Sequence, residues 1–213
     1  DSAFVGFHYL NAEGIDDKNC QEFSENGRYW IILDGCIDNL RTLADNSQLP
    51  QDFTAAQSVA ALYKADDTSF LEKLQGRFSL AIIDRTAQSV VLYRSRLGQL
   101  PLYYHLCPER IIAASEERAI AAHPDVPSQP NAEMLAPWFS LSSSFPAGQT
   151  AFTVIKELLP GECLVWKKGN VKQWRSPLLL GQSQTRYQTD QEYADHYLEL
   201  MERMVARYLP ASG

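Results

Sequence analysis

Three times along this chain, two short apolar runs face each other across a turn. That pattern constrains the fold more than any other feature. Residues 78–83 and 90–94 flank 84–89, and residues 102–106 and 110–114 flank Cys107-Pro108-Glu109. Residues 163–166 and 171–174 flank Lys167-Lys168-Gly169-Asn170, where Gly and Asn accept positive φ. Apolar runs this short, paired over tight loops, predict antiparallel hairpins. Two more strands are expected. Residues 3–9 alternate, and residues 28–33 (RYWIIL) form an apolar run that reads as stopping at the turn signal Asp34-Gly35.

Helical spacing appears in four places. Residues 55–63 carry apolar positions at helical intervals. Residues 116–122 follow Ser115, a candidate N-cap with an acidic first turn. Residues 131–139 open on Asn131, and Pro137 should end or kink that helix near Ala136. Residues 190–208 place Tyr193, Tyr197, Leu200, Met201, Met204 and Tyr208 on one face. The polar stretch 181–189 (GQSQTRYQT) reads as a linker, so the last helix is expected to lie outside the strand-rich body. The domain reading is therefore 1–180 for the body, and 181–213 for the linker and the start of a second domain.

Composition narrows the function classes. A chain of 213 residues, 45% hydrophobic, can bury a substantial core. A net charge of −7 without a Lys/Arg cluster argues against nucleic acid or a membrane surface as partner. Cys20, Cys36, Cys107 and Cys163 are scattered, form no CxxC pair, and are not spaced with the four histidines as metal ligands would be. No metal site is expected. Scattered thiols and the lack of a membrane-length apolar run make the cytoplasm the expected location.

Several phrases then carry a resemblance. Residues 70–85 (FLEKLQGRFSLAIIDR) resemble "flekLrGmFAfaiwDr", and residues 93–104 (YRSRLGQLPLYY) resemble "aRDrlGikPLYY". Ala114-Ser115-Glu116 matches "aSE", and Ile155 with residues 158–162 (LLPGE) matches "I..LpPGh". Trp174 falls where a Trp closes the first domain. In this order and spacing, the phrases resemble the glutamine-dependent asparagine synthetases. The resemblance implies an α+β fold: an N-terminal-nucleophile αββα sandwich of two antiparallel sheets. Beyond it would come the first helix of a truncated α/β synthetase domain, represented here by 190–208. It also implies ATP and Mg²⁺ as cofactors of that second domain, with none in this chain. The chain's own C-terminal synthetase domain is the implied partner, with a homodimer as a further expectation.

The resemblance also implies where a glutamine-hydrolysing site should lie, and the chain departs from it there. Residues 2–7 (SAFVGF) resemble "CGIAGF", so Ser2 stands at the nucleophile position, preceded by Asp1. Such a nucleophile needs a neighbouring base, which in this family is its own free amine. Residues 34–39 (DGCIDN) resemble "NGEIYN". Asp34 replaces the Asn that would donate to the oxyanion, Gly35 is kept, and Cys36 replaces Glu. The "DtE" phrase that holds the amino group falls on Ala55-Ala56-Gln57, and no counterpart of the carboxylate-holding Arg precedes Arg28.

Cys36, after a glycine and possible opener of a helix, is an alternative nucleophile. Arg94 and Arg96 read as structural, Tyr103-Tyr104 as core and rim, and His105 and His123 as lacking a carboxylate partner. The expectation is a degenerate glutaminase-like domain of an ATP-dependent amide-forming enzyme. Its losses are closest to those of the β-lactam synthetases and lasso-peptide cyclases. The alternatives are an amidohydrolase that uses Ser2 and a non-catalytic scaffold.

Overall fold

The structure, a computed structural model, describes residues 21–24, 27–139, 146–176 and 185–208. The expected strand over 3–9 and Ser2 lie outside the described residues. The chain divides into two compact units. One spans Asp17–Leu178, and the helix near the C-terminus belongs to the other.

In the larger unit, β1 (Gln21–Ser24), β2 (Tyr29–Ile37), β3 (Gly76–Asp84), β4 (Ser89–Arg94), β8 (Glu162–Lys167) and β9 (Asn170–Arg175) form one sheet in the order β1-β2-β3-β4-β8-β9. A second sheet has the order β6-β5-β7, from β5 (Tyr103–Cys107), β6 (Arg110–Ala114) and β7 (Lys156–Glu157). Every pairing is antiparallel. All three expected hairpins are present, as β3–β4, β5–β6 and β8–β9.

Strand alternation sorts the core into layers. Tyr29, Ile31 and Leu33 of β2, Phe78, Leu80 and Ile82 of β3, and Val91 and Tyr93 of β4 point one way. They pack under α1 (Leu40–Asn46) and α2 (Ala55–Asp66), which contribute Leu40, Val59 and Leu62. The opposite faces of β3, β4 and β8 supply Ala81, Leu92 and Leu164 to a second cluster with Leu102 and Tyr104, which lies between the sheets. A third cluster joins Ile120 of α3 (Glu117–Ala121) to Val126 and Ile155 beneath the outer face of the small sheet. The layers are therefore helix, sheet, sheet, helix, as the α+β sandwich reading expects.

Some local expectations change. Asp34-Gly35 does not end a strand. β2 continues to Ile37, because β3 pairs with it from Tyr29↔Asp84 to Ile37↔Gly76. The β8–β9 turn places Lys168 (φ 48°) and Gly169 (φ 83°) in the left-handed region, so Asn170 is already in the strand. The N-cap of α3 is Glu116, without a side-chain bond, and not Ser115. In α4 (Ala132–Phe139), Asn131 Oδ1 accepts from the Glu133 amide, 3.2 Å away, and Pro137 lies inside the helix without ending it. The short helix α1 and a 3₁₀ turn at Ser69–Lys73 carried no sequence signal. The final helix, α5, spans Asp190–Tyr208 as expected.

The β3–β4 hairpin is pinned at its turn. Arg28 donates through Nε and Nη2 to the two oxygens of Asp84, at 3.2 and 2.9 Å. The amides of Thr86 and Ala87 donate to Asp84 Oδ1, each at 2.9 Å. Burial alone would raise the Asp84 carboxyl, but Arg28 and these amides outweigh it and hold it below the ordinary value of 3.8. A depressed carboxylate stabilises the fold above the unfolded-state value, and this is lost as pH falls through the folded-state value. Asp84→Asn is therefore expected to lower the urea midpoint at pH 7. The gap to the unsubstituted protein should shrink below about pH 4. A gap that is constant between pH 7 and pH 3 would contradict this.

Candidate active site

β2 and β3 present the sequence-predicted residues together. Asp34 faces Ser79 across the ladder, Gly35 faces Phe78, and Cys36 faces Arg77. Asp34, Cys36 and Arg77 are exposed, and Ser79 is buried. Direct cross-strand partners share a face, so the carboxylate, the thiol and the guanidinium lie on one side of the sheet.

Gly35 is required by this geometry. It holds φ +95°, and a Cβ there would stand 2.1 Å from the Arg77 carbonyl oxygen and 2.6 Å from Leu100 Cδ1. Leu100 is itself held from behind. Its carbonyl accepts from Ser79 Oγ at 3.0 Å and from Arg94 Nε at 2.9 Å. Arg94 is buried and donates further to Glu157 Oε1 (2.6 Å), the Leu158 carbonyl (2.7 Å) and the Gly98 carbonyl (2.7 Å). One guanidinium thus ties the end of β4 in the large sheet to β7 in the small one, and fixes the loop between Arg94 and Leu102 against Gly35. Arg94 is structural, as the sequence suggests, but its link to the site was not legible. The only signal was a charged residue closing the apolar run VVLYR ahead of Gly98 and Pro101. Arg96 likewise donates to a carbonyl, that of Glu72.

Electrostatics bear on chemistry here. Although Asp34 is exposed, neighbouring protein atoms displace enough water to push its carboxyl above the ordinary value, with Arg77 pulling the other way. An ionised carboxyl at this position accepts hydrogen bonds and, while ionised, cannot donate one to a negative oxygen. The Cys36 thiol is also raised, by burial first and by Asp38 next, against the pull of Arg77. It is therefore a poorer source of thiolate than a free cysteine. It lies within β2 and opens no helix. Cys163 is buried and pushed up to about 12, so it is inert at neutral pH. His105 contacts the Val154 carbonyl through Nδ1, 3.0 Å away in the small-sheet region.

The Ala55-Ala56-Gln57 segment has another use. Gln57 closes a capping box with Thr54 at the start of α2, each side chain accepting from the other residue's amide. Tyr104 is core, with its hydroxyl accepting from Gln173, and Tyr103 is half-buried at the rim. Among the described residues, no group of three or more His, Cys, Asp or Glu side chains is placed to hold a metal ion. No helix among them is long and apolar enough to cross a membrane. Ser2 lies outside the described residues, so the structure places Asp34, Gly35 and Cys36 together without it.

With this geometry in hand, the chain can be compared with known proteins. The family profile of the glutamine amidotransferase domain matches residues 2–176. The asparagine synthetase (glutamine-hydrolyzing) 2 of Bacillus subtilis is 29% identical over 131 residues, covering 60% of this chain and 18% of that protein. The asparagine synthetase (glutamine-hydrolyzing) 3 of the same organism is 31% identical over 105 residues, covering 49% of this chain and 17% of that protein. The chain thus spans less than a fifth of these relatives. A solved glutamine phosphoribosylpyrophosphate amidotransferase from B. subtilis superposes with a TM-score of 0.44 at 16% identity, covering 79% of this chain and 33% of that one.

Proposed function

Because the chain belongs to the glutamine amidotransferase domain family, in the form that asparagine synthetases carry, we propose that it is the N-terminal domain of an ATP-dependent amide-forming enzyme, and that its glutaminase site is degenerate. The observation that carries the second half is Asp34. It sits on β2 beside a glycine forced into the left-handed region, where the resemblance calls for a neutral amide donor, and it offers a carboxyl instead. A like charge at a developing oxyanion raises the barrier that the site would have to lower. Cys36 does not replace the missing nucleophile, since its environment disfavours the thiolate.

In this reading the domain docks on a C-terminal synthetase domain that binds ATP and Mg²⁺. The larger enzyme adenylates a carboxylate, and an amine other than glutamine-derived ammonia attacks it. The chain is cytoplasmic in this account. α5 supports the two-domain picture. It falls in a different unit from the sheets, and Tyr197, Leu200, Met201 and Met204 on it are 65%, 43%, 42% and 50% exposed. Exposed apolar stripes of this kind mark surfaces that associate. The test is the coding sequence downstream of Gly213. The resemblance implies that the synthetase domain holds pyrophosphate in an SGGxDS loop, which is expected after the strand that follows α5, and a stop codon directly after Gly213 would contradict the proposal.

A further inference from the structure

The polar stretch before α5 reads as a tether in sequence, but its described part is bonded to the helix. We infer that residues 185–189 form an aromatic strap that locks the first two turns of α5 and fixes the direction in which the chain enters it. This inference goes beyond the proposed function and does not rest on it.

Three kinds of contact carry it. First, the Tyr187 ring stands edge-on against Tyr193, with centroids 4.9 Å apart and planes at 89°. It also stands edge-on against His196, at 5.4 Å and 78°. Aromatic pairs at these distances and angles attract beyond the area they bury. Second, polar atoms close the same contacts. The Tyr187 amide donates to Tyr193 Oη at 3.2 Å, and the Tyr187 hydroxyl pairs with His196 Nδ1. Third, the backbone turns into the helix through a capping box. Glu192 Oε2 accepts from the amides of Gln188 (2.7 Å) and Thr189 (3.1 Å), and Thr189 Oγ1 accepts from the Glu192 amide at 3.3 Å. The spacing explains why one residue can do this. Tyr193 and His196 are three apart, so they share a helix face on which a single ring can rest.

The strap rests on Tyr193, which stays 42% exposed at the start of the apolar face of α5.

Amides that precede a helix ordinarily exchange freely with solvent, which makes hydrogen exchange on the full chain the test. In the unsubstituted protein, the amides of 187–189 are expected to exchange at least about tenfold more slowly than free peptide. Tyr187→Ala removes the ring that packs on Tyr193, so it should speed exchange of the 187 amide by about two- to tenfold and leave the amides of 188 and 189 on Glu192. Tyr187→Phe keeps the ring and loses the hydroxyl, so it should retain most of the protection. Glu192→Ala removes the acceptor, so it should expose the amides of 188 and 189 while sparing that of 187. The amides of β2 and β3 serve as a control and should not change in any variant. Free exchange at 187–189 in the unsubstituted chain, or a Tyr187→Ala variant that exchanges like it, would overturn the strap.

Discussion

Replacing Arg94 with methionine should lower the unfolding free energy by about 3–5 kcal/mol, the range for breaking a buried charge network by removing one partner. Methionine has a similar length, so it fills the space, and the loss comes from hydrogen bonds. Three carbonyls, those of Gly98, Leu100 and Leu158, lose a charged donor. Glu157, 29% exposed, keeps its charge without its counter-ion. The contrast within this protein is the Arg110–Asp125 pair, 46% and 54% exposed, where solvent screens the attraction and a much smaller loss is expected. Because Arg94 joins the two sheets, its loss should also loosen the loop that backs Gly35. Urea unfolding with an unchanged slope checks the prediction. A loss no larger than that for Arg110→Met would mean that Arg94 does not hold the sheets together.

The sandwich was readable because hairpin punctuation and two-residue alternation are local signals. Asp84–Ser89, Cys107-Pro108-Glu109 and the Lys-Lys-Gly-Asn loop each announce a turn, and the strands on either side pair with nearest neighbours. α2 and α5 were readable from apolar spacing, and α1 was not, since seven residues give fewer than two full turns of pattern. The Asp34-Gly35 pair misleads for a physical reason. Asp-Gly is a turn signal only when nothing pairs with it, and here β3 extends the ladder past it, with the glycine absorbing a positive φ inside a strand. The site residues on β2 came from phrase resemblance. Their setting against Arg77, Leu100 and the Arg94 network depends on contacts distant in sequence, which no local pattern encodes.

The reading of a degenerate site has the largest consequence for activity. On the proposed reading, three separate requirements of glutamine hydrolysis go unmet. By the resemblance the nucleophile position falls on Ser2, a hydroxyl in place of a thiol, which would need a free amine of its own as base. The oxyanion donor is replaced by Asp34, and losing one such donor alone costs about 10²–10³ in rate. The segment that would hold the substrate's amino group begins with alanine and spends its glutamine on capping α2. These losses act on one transition state, so they do not simply add, and loss of the nucleophile with its base is by itself expected to leave the reaction near background. The most direct measurement is ammonia and glutamate release from glutamine by the unmodified chain, beside its Ser2→Ala variant. Both are expected to give the same rate, that of a protein-free control. Release clearly above the control that disappears with Ser2→Ala would contradict the account and make Ser2 a working nucleophile.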